Sequence, residues 1–146
     1  MPSTKINAMT QREWRELGFF YDRDDDLKEW RLRGHMAGLR QFAEAMRAYA
    51  ADPCKGGVSE HEHFEPYKYL EIGTWPTSEI TDHWIAGPVS DIHQLAQLMD
   101  DCLNTALVGD CIFLRSEFAP SSPYEFILEI EADSYDPAKA DIDCWP

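Results

Sequence analysis

Two imidazoles separated by one residue, His61-Glu62-His63, are the most chemistry-like feature of this chain. In an extended segment, side chains two positions apart share a face, so both rings can reach one metal ion. Zinc accepts such nitrogen ligands, but a catalytic zinc site needs a third protein ligand as well. His83, Glu65 and Glu71 can be nominated for that place, and none stands at a diagnostic spacing. H-x-H is also short enough to recur in ordinary polar loops. The residues therefore lead us to expect no bound metal and no cofactor. The alternative they leave open is a small metal-dependent hydrolase that uses His61 and His63.

Other constellations are weaker. The run Asp22-Arg-Asp-Asp-Asp26 offers carboxylates at alternate positions, yet a calcium loop would need glycine and glutamate where Leu27 and Arg33 stand. No nucleophile elbow, phosphate-binding glycine loop or H-E-x-x-H pattern occurs. Cys102 and Cys111 lie on apolar stripes and are expected to be buried and inert. No enzyme is expected.

Charge is more informative. The chain carries 13 basic and 27 acidic residues, a net charge of −14. Residues 1–51 hold 8 acids and 9 bases, whereas residues 52–146 hold 19 acids against Lys55, Lys68, Arg115 and Lys139. Such a surplus repels nucleic acid and anionic membranes and favours a basic protein partner. Solubility is the plainer use of the same charge, as in a structural or homo-oligomerising module. Asp100 and Asp101 fall in the later half of a helix with no Lys or Arg near them in sequence. The helix dipole there disfavours each anion by about 0.3–1 kcal/mol. Glu125, Glu129 and Glu131 share one side of the last strand. These five carboxylates, expected to be exposed and unneutralised, are the candidate partner contacts.

The elements that would position these groups follow from hydrophobic periodicity. Residues 17–21 and 28–33 read as strands, and 36–51 as an amphipathic helix. Residues 54–66 read as a loop, followed by strands at 67–74 and 80–86. A second helix spans 90–107, and strands at 110–118 and 124–131 close the series. The fold class is thus α+β, a mainly antiparallel sheet of about six strands in the order ββα-ββα-ββ, with two helices on one face. Leu39, Phe42, Met46, Leu95, Met99, Leu103, Leu128 and Ile130 are expected in its core. Residues 1–12 are expected to be a flexible segment and 13–132 the single domain. Residues 133–146 make an acidic tail from which Trp145 docks back. With no run near the roughly 20 apolar residues of a membrane span and no signal-peptide pattern, a cytoplasmic protein with reduced thiols is expected.

Several stretches taken together carry a family resemblance: Trp14-Arg-Glu-Leu-Gly-Phe-Phe-Tyr-Asp-Arg-Asp, Trp30-Arg-Leu-Arg-Gly, Gly38-Leu-Arg-Gln-Phe, His61-Glu-His-Phe-Glu-Pro-Tyr and Tyr69-Leu-Glu-Ile-Gly-Thr-Trp. They resemble small bacterial proteins classed with the immunity proteins of polymorphic toxin systems, over roughly residues 10–105. Proteins of that kind neutralise a toxin made by the same cell, often by covering a basic nuclease with an acidic surface. The resemblance implies a cationic toxin domain as partner and carries over no contact residue.

Overall fold

The computed structural model describes residues 4–141. In chain order the elements are α1 (Thr4–Leu17), β1 (Phe19–Asp24), β2 (Glu29–Gly34), α2 (Met36–Ala51), β3 (His61–Phe64), β4 (Leu70–Thr74) and β5 (Glu79–Ile80). They continue with β6 (Ile85–Gly87), α3 (Val89–Thr105), β7 (Cys111–Phe113), the short α4 (Arg115–Phe118) and β8 (Glu125–Ile130). The fold is α+β, as expected. Its strands form two four-stranded sheets, ordered β1-β2-β8-β7 and β3-β4-β6-β5, in place of one six-stranded sheet.

Local pairing follows the hairpin logic: β1·β2, β3·β4, β5·β6 and β7·β8 are all antiparallel. The hairpins then join through parallel pairs, β2·β8 and β4·β6, which corrects the mainly antiparallel expectation. Periodicity within a strand fixes which side is apolar, but it says nothing about which hairpin edge meets which. The two sheets are sewn together at their ends. Trp30 Nε1 donates to Thr81 O at 2.7 Å, Tyr21 Oη to Phe64 O at 2.8 Å, and Tyr124 N to Ile80 O at 3.2 Å.

Helices α2 and α3 pack on each other, α2 also against β2 and β8 and α3 against β6. The Phe42 ring lies 5.3 Å from Phe19, 5.3 Å from Phe64 and 5.8 Å from Phe126, so α2 joins the cores of both sheets. All eight residues expected in the core are buried. Cys102 is half-buried and Cys111 exposed, which corrects the expectation for both thiols. Cys111 lies on β7, an edge strand with little cover.

Two ends of the chain differ from expectation. Residues 4–12 belong to α1, whose inner side is held by buried Thr10 and Trp14. A stripe half made of a polar residue leaves little apolar period to read. Gly18, at φ +91°, ends the helix by donating its N–H to Trp14 O, the left-handed position that glycine takes most readily. At the other end, Asp136 caps a 3-10 turn, Pro137–Ala140, that packs on α1 with Pro137 and Ala138 buried. The described part of the acidic tail is therefore part of the domain. Trp145 lies outside the described residues.

Two expected strands are broken by side-chain capping. Thr81 Oγ1 accepts from the backbone N–H groups of His83 and Trp84, turning residues 81–84 into the loop between β5 and β6. The Glu125 carboxylate accepts from Arg115 N at 2.7 Å, which starts α4 where a longer β7 was expected.

Candidate functional site

Strand β3 is a sheet edge, and its antiparallel register with β4 sets His63 opposite Glu71 and His61 opposite Gly73. All four residues thus share one face. Leu70 and Ile72 face the core, which leaves Glu71 beneath the side chains that cover the other side of this small sheet. Glu71 is only 6% exposed. Residues 61–64, expected as loop, form this strand, and the pairing brings in the third group that sequence spacing could not identify.

Three imidazoles surround the Glu71 carboxylate. His63 Nε2 lies 3.0 Å and His61 Nε2 3.9 Å from Oε1, while His83 Nδ1 lies 3.2 Å from Oε2. No arginine or lysine among the described residues lies within ion-pair distance of this carboxylate. His61 Nδ1 stands 3.0 Å from Ser59 O, and His63 Nδ1 2.7 Å from Lys68 O. A carbonyl only accepts, so both Nδ1 atoms carry the hydrogen and donate. With the hydrogen on Nδ1, the neutral form of each ring presents a bare Nε2 lone pair toward Glu71. His61, Glu71 and His83 open onto a cleft of about 620 Å³ that also contains Trp75, Trp84 and Glu79. A Cβ at position 73 would sit 2.1 Å from the Trp84 ring, so glycine there admits the indole against the sheet.

A second concavity has His63 in its lining. This groove, about 530 Å³, has an apolar floor of Leu17, Ala45, Ala48 and Phe64. Its walls carry Glu13 and Glu16 from α1, Glu62 from β3, and Glu65. Burial, a shared hydrogen bond with Glu65 and repulsion from Glu65 and Glu16 push the Glu13 carboxyl above its ordinary range, with Lys68 opposing. Lys68 pairs with Glu65 at 3.4 Å, both side chains being about half or more exposed. Glu16 stands in the last turn of α1, where the dipole disfavours an anion.

The five carboxylates singled out from sequence are placed differently from their expectation. Asp100 meets Arg47 at 2.6 Å and Arg40 at 3.5 Å, both reaching over from α2. Glu129 is paired with Arg31 from the neighbouring β2. Glu125 accepts from the backbone N–H groups of Arg115 and Phe126. Glu131 is half-buried, its carboxyl pushed up by burial and by sharing a hydrogen bond with Glu129. Asp101 alone of the five is exposed, and it accepts from Gln97 at 2.9 Å. Cations invisible along the sequence come from adjacent elements. Asp100→Asn, neutral or mildly stabilising on the helix-dipole argument alone, is therefore expected to cost about 1–2 kcal/mol in urea denaturation, as a partly buried charged hydrogen-bond pair is lost.

Among the described residues, no helix is long and apolar enough to cross a membrane. Compared with family models, with curated proteins and with solved structures, the chain finds no match.

Proposed function

We propose that this chain is an immunity-like protein that binds and neutralises a cationic bacterial toxin domain in the cytoplasm. The observation that carries the reading is the groove between α1, α2 and β3. A lysine or arginine side chain has an aliphatic stem and a charged head, and it suits a cavity with an apolar floor and carboxylate walls. Among the described residues, Glu13, Glu16, Glu62 and Glu65 have one ion-pair partner between them, Lys68 on Glu65. A guanidinium or ammonium entering there would counter the burial and the repulsion that together raise the Glu13 carboxyl. Exposed Tyr67 and Tyr69, stacked at 6.2 Å between centroids, offer the kind of aromatic contact that anchors protein interfaces.

The net charge of −14 supplies the long-range part of the mechanism. Complementary fields speed encounter, and a few desolvated pairs then hold the complex. The test searches the neighbouring genes for a basic toxin domain and measures its association rate from low to physiological salt. A rate that falls several-fold or more over that range, together with loss of toxin activity at one inhibitor per toxin, is the expected result. A rate independent of salt, or a toxin left active in excess of this protein, would sink the proposal.

A further inference from the structure

We propose that His61, His63 and Glu71 form a three-ligand site for a divalent transition metal, with the fourth coordination position open to the cleft containing Trp75 and Trp84. One ligand atom from each residue lies within 4.8 Å of the others. Tetrahedral zinc, with bonds of about 2.0–2.2 Å to nitrogen and oxygen, needs its ligand atoms roughly 3.4 Å apart. His63 Nε2 and Glu71 Oε1, at 3.0 Å, are already near that spacing. Both imidazoles are more than 40% exposed, so small ring rotations can close the remainder.

The second argument concerns what faces what. With each Nδ1 donating to a backbone carbonyl, the rings in their neutral form aim bare Nε2 lone pairs at a carboxylate that also has only lone pairs to offer. Acceptor against acceptor repels unless a cation lies between them. Carbonyl-fixed imidazoles are the usual outer shell of histidine metal sites, because the carbonyl sets the tautomer and the ring orientation. His83 contacts the other oxygen of Glu71 and so acts as a positioning residue for that ligand. Two nitrogens and one oxygen suit zinc, and three protein ligands with an open fourth position is the pattern of sites that bind water or a substrate. A proton on His63 would satisfy the same contact, and the experiment separates the two cations.

The full chain, stripped with chelator and dialysed free of it, is titrated with zinc chloride and assayed for bound metal. About one zinc per chain is expected, with a rise in melting temperature on loading. His63→Ala and Glu71→Gln should abolish both effects, and His83→Ala should weaken binding by roughly tenfold, the lower range for outer-shell partners. His63 is exposed, so its variant is expected to fold even if Glu71→Gln does not. Cobalt(II) in place of zinc should give visible bands without the intense near-ultraviolet absorption of thiolate ligation. Three results would each overturn the site: no metal retained at micromolar zinc, equal retention by wild type, His61→Ala and His63→Ala, or a thiolate band pointing to the cysteines.

Discussion

Trp14→Ala is expected to remove about 3–5 kcal/mol of folding stability, the usual cost of deleting a large aromatic from a core. Trp14 is fully buried, and its ring lies 4.8 Å from Phe20, 5.0 Å from Tyr21 and 6.0 Å from Tyr67. It also donates Nε1–H to Asp141 Oδ2 at 2.9 Å, across 127 positions of sequence. Asp141 is 5% exposed and accepts a second hydrogen bond from Tyr67 Oη. The substitution therefore opens a cavity and takes one donor from a buried carboxylate in the same step. A domain of this size commonly has only 5–15 kcal/mol in total, so the variant should melt ~10 °C or more below wild type. Trp14→Phe keeps a six-membered ring but loses the donor and the five-membered part of the indole, and should cost about 1–3 kcal/mol. If the two variants melted together, the five-membered part of the indole with its N–H would account for the whole of the effect. If both melted with wild type, α1 and the segment through Asp141 would not be integral to the domain.

The same residue shows where sequence reading succeeds and where it stops. Helices α2 and α3 were legible because Leu39, Phe42 and Met46, and Leu95, Met99 and Leu103, repeat at helical spacing with apolar residues alone. Strand β8 was legible by its alternation. In α1 the buried stripe depends on Thr10 and on a tryptophan whose polar partner lies in the C-terminal segment, and neither adds to an apolar period. The split of the strands at Thr81 and at Arg115 comes from single side chains capping backbone groups, a choice that composition does not record. Charges behave in the same way. Asp100 seemed unneutralised because its cations, Arg40 and Arg47, lie more than fifty residues away and arrive by helix packing. Conversely, Glu71 was one nominee among three until the β3·β4 register put it opposite His63.

Neutralising the groove through Glu13→Gln, Glu16→Gln, Glu62→Gln and Glu65→Gln together is expected to slow encounter with the cationic toxin about tenfold or more at low salt. That magnitude lies at the lower end of electrostatic steering, which spans roughly 10–10³. The fold should be no less stable. Glu13 and Glu16, three residues apart on α1, are like charges that cost an isolated helix about 0.2–0.5 kcal/mol. Glu16 at the C-terminal end adds roughly 0.3–1 kcal/mol of unfavourable dipole interaction at an exposed site. The Lys68–Glu65 pair lost in exchange is exposed and worth about as little. The pH dependence follows from the raised Glu13 carboxyl. The folded state holds that proton more tightly than the unfolded chain, so Glu13 favours folding below its ordinary range near 4.5. That contribution is lost as pH rises through the folded value. Wild type should therefore lose slightly more stability over this interval than the neutralised variant, which keeps the raised carboxyl of Glu131 but not that of Glu13. A three-charge control, neutralising Asp101, Glu117 and Asp133 outside the groove, changes net charge without touching its walls. If that control slows association as much per charge as the groove variant does, the charge acts only as a diffuse field and the groove is not the receiving site. If association instead depends on the groove while stability holds or rises, the retained repulsion between these glutamates is explained by recognition of a basic partner.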